Sequence, residues 1–85
     1  MEETFEEYGK FCEELVIDSL IKELQDYYSP ELKLEFVEKK WYGGSHIWEY
    51  IFVDQFGIKH SRDINRRMWQ DLAYNHPKSR ARIVK

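Results

Sequence analysis

At Ser29-Pro30 the chain changes its periodicity, and that change dictates a helix followed by strands. From Phe5 to Tyr28 there is no proline and one glycine, at position 9, among residues that are mostly strong helix formers. Proline lacks a backbone donor and crowds the preceding turn, so the helical run ends there. Beyond it the apolar residues recur at every second position. Leu32, Leu34 and Phe36 alternate with Lys33, Glu35 and Val37 before the run reaches Trp41 and Tyr42, which reads as a first strand.

Gly43-Gly44-Ser45 supplies the flexible turn of a hairpin, and His46 to Val53 form a second strand. Trp48, Tyr50 and Phe52 face one way and Ile47, Ile51 and Val53 the other, and a strand apolar on both sides belongs in the centre of a sheet. Asp54-Gln55-Phe56-Gly57 has turn chemistry, with Gly57 available for a positive φ, and Ile58-Lys59-His60 gives a short third strand. Ser61 or Asp63 then caps a last helix with Ile64, Met68, Trp69 and Leu72 inward and Arg62, Arg66, Arg67, Gln70 and Tyr74 outward. Asn75-His76-Pro77 stops it. The expected fold is α+β: a long or broken N-terminal helix, a three-stranded antiparallel sheet and a shorter C-terminal helix. Residues 1–77 form one domain in this reading and 78–85 a basic tail.

The first helix carries its own puzzle. Projected at about 100° per residue, Phe5, Tyr8, Phe11, Cys12, Leu15 and Val16 share one face, while Ile17, Leu20, Ile21, Leu24, Tyr27 and Tyr28 share nearly the opposite one. Two arrangements satisfy the switch. The expected one is a break, with Asp18 or Ser19 capping a second helix; the other is a continuous helix whose halves bury opposite faces, one of them against a partner.

Eighty-five residues allow one core. The single cysteine, Cys12, forms no internal disulfide, which points to a reducing, cytoplasmic setting. The acidic start of the chain has no apolar h-region, and no apolar run approaches membrane-spanning length. Charge divides along the chain. Three lysines against twelve acids leave residues 1–38 at −9, and ten bases against four acids leave residues 39–85 at +6. Such polarity suits an acidic or nucleic-acid partner for the second half, a basic partner for the first, or mutual attraction within the fold.

Catalytic signatures are sparse. There is no G-x-S-x-G elbow, phosphate loop, dinucleotide fingerprint or C-x-x-C, and His46, His60 and His76 lie far apart. Glu31 with Glu38-Lys39-Lys40 echoes the acidic and E-x-K elements of metal-dependent nucleases, but solvent-facing strand charges explain the same letters. We expect a non-enzymatic binding protein without cofactor or metal, a regulator or inhibitor acting by protein contact, with a second copy of the chain among its candidate partners. The expected contact residues are Phe5, Tyr8, Phe11 and Leu15 with Glu6, Glu7, Glu13 and Glu14 on the acidic helix. The alternative is RNA or DNA binding through Lys39, Trp41, Tyr42, Arg62, Arg66, Arg67, Lys78, Arg80 and Arg82, since cations neutralise phosphates while aromatic rings stack on bases. In that surface, Trp48 and Trp69 are equally well read as core.

From Leu20 to Tyr74 the order helix, three strands, helix resembles the double-stranded-RNA-binding domain. Gly43-Gly44-Ser45-His46 is similar to that family's Gly-Pro-x-His loop, Tyr50-Ile51-Phe52-Val53 to its central strand, and Ser61-Arg62 with Arg66 to its basic helix start. The resemblance implies recognition of RNA by shape and backbone. Asp63 stands where the family has a phosphate-contacting lysine.

Overall fold

The computed structural model describes residues 5–78, with side chains from Glu7 onward. Helix α1 (Phe5–Tyr27) is followed by β1 (Glu35–Tyr42), β2 (Ile47–Val53), β3 (Lys59–Asn65) and α2 (Arg66–Tyr74). The strands form one antiparallel sheet in the order β1-β2-β3, so β2 is central as its two apolar sides demand. No helix among the described residues is long and apolar enough to cross a membrane.

Helix α1 does not break. It runs through Asp18 and Ser19, and Asp18 pairs with Lys22 one turn on, at 3.4 Å, instead of capping. The apparent change of face is a drift. Cys12, Val16, Leu20 and Leu24, all buried, are spaced by four residues, with half-buried Tyr8 one step earlier. Each such step turns about 40° beyond a full rotation, so the row winds steadily round the helix. A wheel projection splits this winding row into two opposed faces; in space it is one ridge, and it crosses the sheet obliquely. Tyr8, Cys12, Leu15 and Val16 therefore belong to the protein's own core.

Cross-strand partners in an antiparallel pair point to the same face. The helix-covered face thus has three rungs: Phe36-Phe52-His60, Lys39-Tyr50-Arg62 and Trp41-Trp48-Ile64. A bulge at Val37 makes this possible. It shifts the register between Phe36 and Glu38, bringing odd-numbered Lys39 and Trp41 onto the face of Phe36 and leaving Val37 about half exposed. Tyr50 and Phe52 are fully buried and join Ile64, Ala73 of α2 and the α1 ridge in the core. Among the described residues, the opposite face of the sheet carries no helix. Ile51 lies there, outside the main core, and is reduced to 8% exposure within a shallow surround of Glu38, Lys40, Glu49, Lys59, His60 and Ser61.

The last third differs from expectation. Strand β3 runs to Asn65, so Ser61 and Asp63 are strand residues and Ile64 is a buried strand side chain. Pairing with β2 along the whole of β3 outweighs the local capping preferences of Ser and Asp. Asn65 is the cap instead: its Oδ1 accepts from the Met68 N–H at 2.8 Å. The first strand also starts later, at Glu35, leaving Leu34 to pack against the core from the preceding segment. Between β2 and β3, the buried carboxylate of Asp54 accepts from the N–H groups of Phe56 (2.8 Å) and Ile58 (2.9 Å) and meets His60 Nε2 at 2.8 Å, while Gly57 takes φ +79°. The His60 contact, followed by those backbone donors, outweighs burial and holds this carboxyl below its ordinary value.

Candidate functional site

The middle rung places a cation at each edge of the sheet, and α1 meets both. Glu13 Oε2 accepts from Lys39 Nζ at 3.1 Å over β1, and Glu23 Oε2 accepts from Arg62 Nε at 3.2 Å over β3. Those carboxylates are ten residues apart on α1, and the oblique crossing carries one to each edge. Glu13 Oε2 also accepts from Trp69 Nε1 at 3.1 Å, tying α2 to the same point. Lys39 Nζ lies 4.8 Å from the centre of the Trp48 ring and 5.2 Å from that of Tyr50. Beneath this cluster, the Tyr50 hydroxyl and Glu13 Oε1 are buried without closing a hydrogen bond. Burial first, and then the neighbouring carboxylate, push the Tyr50 phenol far above its ordinary value of 10. Two of the acids of the first half are therefore paired with cations of the second within the fold.

The third rung is different. Trp41, Trp48 and Ile64 lie at the rim of the sheet, where the β1–β2 loop and the start of α2 meet. Trp41 is 52% exposed and its ring centre is 4.9 Å from that of Trp48. The loop turns through a hydrogen bond from the Ser45 N–H to the Tyr42 carbonyl, and His46 closes it at φ 54°, a left-handed conformation that costs a non-glycine residue about 1–2 kcal/mol. That turn brings the His46 ring to 6.2 Å from Trp41. Trp41, His46, Trp48 and Arg66 line a cleft of about 460 Å³. Among the described residues no carboxylate pairs with Arg66 or Arg67, and the first turn of α2 contains no acid. The cleft thus offers a stacking surface, an imidazole and an uncompensated guanidinium, an arrangement suited to binding.

The contact residues expected on α1 are largely engaged elsewhere. Leu15 is 4% exposed, Tyr8 packs on the core beside Phe11, and the Glu13 carboxylate is turned inward; Glu7 and Glu14 are exposed. The side chains of Phe5 and Glu6 lie outside the described residues, as do Arg80 and Arg82. Of the basic and aromatic set, the structure gathers Trp41 and Arg66 at the cleft, with exposed Arg67 next along α2. Lys39 and Arg62 are paired with α1. Tyr42 points to the open face and donates to Glu49 Oε1 at 2.9 Å, which raises its phenol. Lys78 is exposed beyond the far end of α2, its N–H donating to His76 Nδ1. His46 enters the sequence reading only through the loop resemblance and not among the binding residues, because nothing in Gly-Gly-Ser-His says which loop residue turns left-handed.

Compared with models of known protein families, with curated proteins and with solved structures, the chain matches none.

Proposed function

We propose that this is a small non-enzymatic binding protein, a regulator or inhibitor that works by protein contact, and that the contact is made through the cleft at the hairpin end. The observation that carries the reading is a tryptophan half exposed at the rim of a well-packed sheet, tilted against a second tryptophan and flanked by an arginine that pairs with no carboxylate among the described residues. Tryptophan and arginine dominate the energetics of protein interfaces because a ring and a guanidinium desolvate well and pack closely. The strained His46 supports it: a conformation costly to the fold is held where it shapes the cleft.

A second reading, single-stranded nucleic acid, is favoured by the same pairing of an exposed ring with Arg66, with Arg67 next along α2 and neither arginine paired with a carboxylate among the described residues. Affinity capture from the native host, with and without nuclease, separates the two. Protein contact keeps its partner after nuclease and loses it on Trp41→Ala. Nucleic-acid binding loses it after nuclease and weakens by orders of magnitude between about 50 and 200 mM salt.

A further inference from the structure

We infer that the partner of the hairpin-end cleft is an acidic segment of another protein, which sets one aromatic or apolar side chain against Trp41 and a carboxylate against Arg66. This rests on the contact reading above and adds the partner's chemistry.

Charge complementarity is the first argument. On the helix-covered face the protein neutralises its own edge cations, Glu13 meeting Lys39 and Glu23 meeting Arg62. At the rim it does not: among the described residues no carboxylate pairs with Arg66 or Arg67 in the first turn of α2, the positive end of that helix, where acidic residues are normally favoured. Two arginines added to a helix N-terminus deepen the positive potential they sit in. A partner that brings negative charge removes this conflict.

Size and reach narrow the partner further. A nucleic-acid strand gains its affinity from a track of cations along many phosphates. Here the track is interrupted: Lys39 and Arg62 are engaged, Tyr42 points to the other face, and Lys78 lies beyond the opposite end of α2. One guanidinium at the ring, with exposed Arg67 next along α2, matches one or two carboxylates and a single inserted side chain. The cleft, about 460 Å³, is large enough for one such side chain rather than a folded domain.

The test titrates the protein with three probes while following the indole N–H signals of its three tryptophans by NMR. The probes are a short peptide of alternating glutamate and aspartate around a central phenylalanine, the same peptide with glutamine and asparagine in place of the acids, and an oligothymidylate of equal length. The acidic peptide is expected to shift the Trp41 and Trp48 indoles, leave Trp69 on its Glu13 acceptor, and bind about tenfold or more tightly than the neutral peptide. Arg66→Glu, or Arg66→Gln if the first misfolds, should remove that preference. Equal binding of the neutral peptide, tighter binding of the oligothymidylate, or no indole shift with any probe would each overturn the inference. Loss of the native partner on Trp41→Ala, with the peptide result negative, overturns the acidic segment alone; retention of the partner by Trp41→Ala overturns the contact reading itself.

Discussion

The middle rung and the outer rung of the same sheet face contain similar residues in opposite circumstances. In the middle, Lys39 and Arg62 flank a buried tyrosine and each is held by a carboxylate of α1; at the rim, Arg66 lies beside two tryptophans with no carboxylate against it. The same letters, cation next to aromatic ring, are structural in one place and available in the other. What separates them is where the oblique α1 passes, since its acids reach the middle of the sheet and leave the outer corner uncovered.

Removing what the middle depends on sharpens that contrast. Phe52→Ala empties the centre of the core and is expected to cost about 3–5 kcal/mol. For 85 residues at about 0.05–0.15 kcal/mol each, that is enough to bring the domain near unfolding in a denaturant titration. Glu13→Ala comes next. It strands the Trp69 indole and the Lys39 ammonium together, and a loss of about 1–3 kcal/mol is expected, with Glu13→Gln milder because it keeps an acceptor for Trp69.

Acid probes the β2–β3 turn. Asp54 is held below its unfolded value of about 3.9 by His60 and two backbone donors, so its contribution is complete above that value and is lost as pH falls through the lowered folded one. Asp54→Asn should therefore flatten the decline of stability between about pH 5 and 2 without moving the Trp41 indole signal. The smallest effect belongs to Glu23→Gln, because its pair with Arg62 is well exposed on both sides and is worth about 0–1 kcal/mol.

How much of this was legible depends on whether local or distant residues decide. The central strand is legible because Trp48, Tyr50 and Phe52 alternate with Ile47, Ile51 and Val53, and the hairpin because Gly43-Gly44-Ser45 permits a turn. The α1 ridge was visible but misread: a row spaced by four winds, and a flat projection turns winding into a switch. Strand β3 was hidden by Ser61 and Asp63, whose capping preference is local while the pairing that overrides it comes from β2. The bulge at Val37 leaves no mark in the sequence, yet it decides that Trp41 shares a face with Trp48. The Glu13 cluster joins residues 26 and 56 positions apart, beyond any window of periodicity.

The most direct test pairs one substitution from each rung, Lys39→Ala and Trp41→Ala, and measures the thermal midpoint and the captured native partner for both. Lys39→Ala should lower the midpoint and keep the partner, whereas Trp41→Ala should leave the midpoint within a few degrees and lose it. The reverse pattern, with Trp41→Ala unfolding the domain or Lys39→Ala releasing the partner from an intact fold, would contradict the division between a self-satisfied middle and a rim built for contact.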